Sequence, residues 1–108
     1  MRMWMVDPKL LCRKHLLGEH VETHMFVGTM RKGYRLDGYL KKGLVEPMKI
    51  KERHDELVKE MKRRGYKHKS EIEKNPETNI NNKVNIRENL LELIKRCSIC
   101  KSNIGEII

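Results

Sequence analysis

From His15 to His24 the chain reads HLLGEHVETH, which sets three histidines and two glutamates in ten residues of a polypeptide otherwise rich in lysine and arginine. Two kinds of chemistry fit such a stretch. Carboxylates and imidazoles move protons, and His15 and Glu22, seven positions apart, share one face if the segment is helical, so they form a candidate acid/base pair. The same side chains bind metals. His20 and His24 stand at i and i+4, a spacing at which two imidazoles reach one ion, but the HExxH order that makes such a pair specific is missing. Cys12 with His15 and Cys97 with Cys100 repeat one spacing, CxxH and CxxC, and would make a Cys3His zinc site if the two segments met. Small buried cysteines in a core stripe account for the same positions without a metal. Glu19, His20 and His24 have no role in the acid/base reading.

These residues need helices to position them. Asp7-Pro8 has the form of an N-cap followed by an N1 proline, and Leu10, Leu17, Val21 and Met25 then recur at helical spacing, which predicts a first helix running to Met30 or Lys32. Glu22 falls beside that apolar stripe, where partial burial would raise its pKa. Gly18 in mid-helix costs roughly 1 kcal/mol relative to alanine, which suggests that a chain segment or ligand approaches the backbone there. The stretch GYRLDGYLKKGLVE has no sustained period and reads as loop with at most short helical turns. Pro47 opens a second helix with Ile50, His54, Leu57, Val58 and Met61 on one face and Gly65 as its stop. A polar, asparagine-rich segment follows, expected as a flexible loop at 67–84. Asn85 and Glu88 can cap a third helix bearing Ile86, Leu90, Leu93, Ile94 and Cys97, which should end between Cys100 and Asn103. The expected class is all-α: a compact three-helix single domain over 1–108 with long irregular connections.

Composition sets the partner. The 108 residues hold 24 Lys+Arg against 15 Asp+Glu, a formal charge of +9, which favours a polyanion, nucleic acid first. No apolar run suits a transmembrane helix, and MRMWMV is interrupted by Asp7-Pro8 before it could serve as a signal-peptide core. Three cysteines, an odd number, argue for reduced thiols and a cytoplasmic protein.

HLLGEHVE following MRMWMV, then Arg31-Lys32, then ELVKEMKRRGY from Glu56 to Tyr66, resemble the pyrimidine-dimer DNA glycosylase family, with the best match in the first helix. The resemblance implies an all-α enzyme whose N-terminal α-amino group is the nucleophile and whose first-helix glutamate is the acid/base group, by position Met1 and Glu22. It places Arg2 beside the amine and His15 at the start of the motif. The implied reaction is glycosylase action with β-elimination on lesion-bearing double-stranded DNA, with no metal or other cofactor, no membrane and no obligatory protein partner. An α-amino group suits the role, since its reference pKa of about 7.7–8.0, against about 10.4 for lysine, leaves far more free amine near neutral pH. The initiator methionine is expected to stay, because Arg2 is too large for the usual trimming. Arg2, Lys14, His15, Arg31, Lys32 and Arg35 are the expected DNA contacts. The family's phage enzyme has arginines where this chain has Val21 and Met25, and its aromatic, basic tail has no counterpart in SNIGEII. A noncatalytic basic nucleic-acid-binding module and a zinc-stapled interaction domain are the competing readings.

Overall fold

The computed structural model describes residues 1–105, whose regular structure is entirely helical: α1 (Arg13–Arg31), α2 (Asp37–Lys41), α3 (Ile50–Arg63), α4 (Ile86–Arg96) and α5 (Ser98–Gly105), with 3-10 turns at Pro8–Leu10 and Pro47–Lys49. The all-α class is as the sequence implies, with five helices among the described residues rather than three.

The departures at the start of α1 and after α4 have local causes. Asp7 caps as expected, accepting from the Lys9 amide, but the helix begun there is one 3-10 turn long. Leu11 and Cys12 are extended, and α1 starts afresh at Arg13. Arg64 holds that break, donating to the carbonyls of Pro8 at 3.2 Å and Leu11 at 2.7 Å. At the other end, the expected third helix is split at Cys97, whose φ of −137° and ψ of 110° separate α4 from α5. Its start is as predicted, with the Asn85 side chain accepting from the Glu88 amide.

α1 and α3 form the centre. Leu16 of α1 shares a cluster with Leu57 and Met61 from the far half of α3, together with Trp4, Leu93, Cys100 and Ile104. Phe26 and Val27 share another with Ile50, Met3, Leu36, Val45 and Ile72. The start of one helix thus meets the end of the other, and the two run antiparallel. α3 buries the face predicted for it and ends at Gly65, whose φ of +83° closes a Schellman turn through Gly65 N–H to Lys62 O and Tyr66 N–H to Met61 O.

α1 buries a different face from the one its apolar spacing implies. Leu16, Glu19, His20, Thr23, Phe26 and Val27 are inside, whereas Val21 is 53% and Met25 49% exposed. The middle of the buried face is polar and meets polar residues of α3, so hydropathy points away from it. Gly18 also departs from expectation: a Cβ there would meet nothing within 4 Å, so no chain segment approaches its backbone. The 67–84 segment has no helix, but it buries Ile72 and Val84 and is pinned by Asn75 to Lys51 N and Pro47 O and by Asn82 to Val45 O.

Candidate active site and two neighbouring side-chain clusters

The chain start lies against α1. The Met1 amine is 3.9 Å from Glu22 Oε1, with both groups more buried than exposed. That separation is an ion pair rather than a hydrogen bond, and a reacting atom could be reached by both groups. Residues 2–4 are held on two sides. Met3 N–H donates to Leu44 O at 2.7 Å, and the Asn89 amide of α4 donates to Met3 O at 3.3 Å and Trp4 O at 2.8 Å. The Arg2 side chain donates to Asn89 Oδ1 at 2.7 Å, and its guanidinium lies 4.1 Å from the centre of the Trp4 ring. Burial raises the pKa of Glu22 above the ordinary glutamate value, against the opposing pull of the amine cation and of the Arg2 backbone N–H. A carboxyl group of raised proton affinity beside an amine can take up and return protons during amine chemistry.

An open cleft of about 450 Å³ adjoins the amine, lined by Met1, Met25, Gly28, Thr29, Lys32, Tyr34 and Tyr39. Lys32 lines it and Arg35 is exposed on the following loop, paired to Asp37 at 2.7 Å, whereas the exposed Arg31 lines a separate cleft with His24, Glu71 and Glu73. Lys14 is exposed at the opposite end of α1. A second cleft, of about 420 Å³, lies between Arg2, Lys41, Lys42 and Lys83 on one side and Glu88, Asn89 and Glu92 on the other. The lysines of YLKKG and Lys83 were not singled out in the sequence, where they sit in segments without period.

His15 is directed elsewhere than Glu22. Its Nδ1 lies 3.2 Å from Cys12 Sγ and 3.5 Å from Cys100 Sγ, while Cys97 Sγ is 3.8 Å from Cys12 Sγ. The Cys12 amide donates to Cys100 Sγ and the Cys100 amide to Cys97 Sγ. Trp4 meets the His15 ring edge-on. Burial, with Arg96 and Lys14 nearby, lowers the pKa of His15, and burial pushes the Cys100 thiol up to about 12. The Cys100 backbone N–H lowers that of Cys97. The Cys12/His15 and Cys97/Cys100 pairs therefore do meet, and the four could hold one metal ion.

Between the two apolar clusters lies a polar layer. Glu19 and Arg53, both essentially inaccessible, form a two-point pair, Nε to Oε2 at 2.6 Å and Nη2 to Oε1 at 2.9 Å. Beside it, His20 and His24 of α1 meet His54 of α3 and His68 of the following loop, with ring centres of neighbouring pairs 4.8–5.3 Å apart. Burial, reinforced by the other histidines, pushes the His20 pKa down to about 4. His20 Nε2, His24 Nε2 and both His68 nitrogens are buried without a hydrogen-bond partner. The Glu71 carboxylate comes within 3.3 Å of His68 Nδ1 but is not aligned to bond it. Arg53, His54 and His68 were not recognised as partners of Glu19 and His20 in the sequence. The available signal was Arg53 itself, a charge set between Ile50 and Leu57 in an apolar stripe.

A family model described as pyrimidine dimer DNA glycosylase matches residues 1–74, a span that takes in Met1, Glu22, the cleft and all four clustered histidines. No curated protein and no solved structure gives a match. No helix among the described residues is long and apolar enough to cross a membrane.

Proposed function

The chain belongs to the pyrimidine dimer DNA glycosylase family, a family of DNA-repair enzymes, and from that premise we propose that Met1 and Glu22 carry a glycosylase reaction coupled to β-elimination on lesion-bearing duplex DNA. The free Met1 amine attacks C1′ of the damaged nucleotide, the glycosidic bond breaks and the base leaves with the electron pair. Glu22 supplies the proton that opens the sugar ring as the imine forms. It then accepts the C2′ proton, and the C3′–O bond breaks to release the strand. Water hydrolyses the imine and frees the amine. No cofactor or protein partner enters this sequence, and its setting is the cytoplasm.

The observation that carries the reading is the 3.9 Å approach of the amine to a carboxyl group whose pKa is raised by burial. The adjoining cleft offers Lys32 for a phosphate and the exposed Tyr34 and Met25 for an unstacked base. Arg35 extends the cationic surface along the loop, Arg31 and Lys14 offer further phosphate contacts away from the cleft, and Arg2 acts by positioning the chain start through Asn89 and Trp4.

Borohydride trapping on ultraviolet-irradiated and abasic duplexes tests the proposal. A covalent protein–DNA adduct and strand cleavage are expected with a free Met1 amine, and neither is expected once that amine is acetylated, with DNA affinity nearly unchanged. Salt-sensitive binding without trapping on either duplex would instead establish a noncatalytic binding module.

A further inference from the structure

We propose that Cys12, His15, Cys97 and Cys100 hold a structural zinc ion that fastens the start of α1 to the α4–α5 junction. A tetrahedron with Zn–S near 2.3 Å and Zn–N near 2.0–2.1 Å has S···S edges of about 3.8 Å and S···N edges of about 3.6 Å. The observed Cys12–Cys97 distance is 3.8 Å, and His15 Nδ1 lies 3.2 and 3.5 Å from two sulfurs. A disulfide would need two sulfurs near 2.05 Å and would strand the third thiol.

The two ligand pairs are also built alike. Cys12 is the N-cap of α1 with His15 in its first turn, and Cys97 immediately precedes α5 with Cys100 in its first turn. Both unexpected chain breaks, before Arg13 and at Cys97, are therefore points where a helix begins on a ligand. Cys12 makes no side-chain capping bond, which leaves its sulfur for a metal. Backbone N–H groups from Cys12 and Cys100 point at sulfurs, as they do around zinc thiolates. Binding releases three thiol protons and leaves a site of net charge −1, which Arg96 and Lys14, the cations acting on His15, offset. With four protein ligands the shell is closed, so the ion is structural.

A different observation carries a second site. Four buried ring nitrogens without partners in one cluster are exceptional, because buried polar groups are nearly always satisfied. One donor atom from each of His20, His24, His54 and His68 lies within 4.8 Å of the others. His54 is the member that must turn: its Nδ1 faces Asp55 Oδ1 at 2.9 Å and its Nε2 faces Ser70 O at 3.1 Å, so binding an ion would replace the Ser70 contact. An imidazole bound to a carboxylate on one nitrogen and to a metal on the other is the usual second-shell arrangement. Four imidazoles suit a divalent first-row transition ion, and here that ion would join α1, α3 and the loop after Gly65.

Both sites are read without DNA, independently of the proposed reaction. The full chain, reduced and stripped of metal, is titrated with cobalt(II) and then zinc(II), and the metal content of the protein as isolated is measured. Two equivalents per chain are expected, only one of them giving a thiolate-to-cobalt charge-transfer band. Cys97→Ser with Cys100→Ser should remove that band and one equivalent, and His20→Gln with His68→Gln should remove the other equivalent alone. If the wild-type chain binds cobalt without the thiolate band, the zinc–thiolate site is overturned. If its only equivalent shows the band, the histidine site is overturned, and no binding removes both.

Discussion

Glu19 and Glu22 lie one turn apart on α1 and meet opposite surroundings. Glu19 faces α3, is fully buried and is matched at two points by Arg53. Glu22 faces the chain start, is part buried, and has as its nearest cation an amine 3.9 Å away. Arg53 compensates Glu19 so completely that the pair serves to hold two helices together. Glu22 is desolvated more than it is compensated, which is why its proton affinity rises. On this helix a raised proton affinity follows from incomplete matching of a charge.

Breaking the compensated member should have the largest effect. Glu19→Gln leaves the Arg53 guanidinium buried opposite a neutral amide, with only the half-exposed Glu56 at 3.8 Å to offset it. Denaturant titration should show a stability loss of about 3–5 kcal/mol, with trapping by the folded fraction preserved. A loss under about 1 kcal/mol would mean that the pair does not hold the helices. Next comes Glu22→Gln, for which single-turnover cleavage should slow about 100-fold or more, about 2.7 kcal/mol in barrier. Trapping on a preformed abasic site should persist because the amine is intact, and wild-type cleavage would remove Glu22 from the mechanism.

The same variant should part from wild type in stability, with the opposite sign. A carboxyl group whose folded pKa is raised binds its proton more tightly when folded, so its contribution to stability falls as pH climbs from the unfolded value of about 4.3 through the raised one. Glu22→Gln should therefore be at least as stable as wild type at neutral pH, with the gap closing towards acid pH; equal pH profiles would deny the desolvation. The smallest effect concerns neither glutamate. Replacing Arg31 and Lys32 with alanine should flatten the log-log salt dependence of DNA binding by about two units, one per phosphate contact, while cleavage at saturating DNA is unchanged. An unchanged slope would place the DNA elsewhere, with the Lys41, Lys42 and Lys83 cleft the next surface to vary.

Features set by local rules were legible in the sequence. Asn85 caps α4, Gly65 closes α3, and α3 buries the predicted face, because caps, left-handed glycines and apolar periodicity act over a few residues. The face of α1 was not legible, since Glu19 is matched inside by Arg53 and His20 packs against His54. Such pairings join positions some thirty residues apart, and no period marks them. Glu22 was found by resemblance and by its place beside the apolar side chains. Its contact with Met1 required the tertiary fold. The equal spacing in CxxH and CxxC suggested the thiol cluster, but only the fold could show that the two halves meet.

Asn89 gives the chain an order of assembly. Residues 2, 3 and 4 are made well before the side chain that bonds them, which arrives 85 to 87 positions later. Closing so long a loop costs entropy before any contact repays it, and such contacts form late in folding. During synthesis, α1 and α3 can emerge and pair while the first residues are still loose. The segment that carries the proposed nucleophile is thus synthesised well before the side chain that sets it in place.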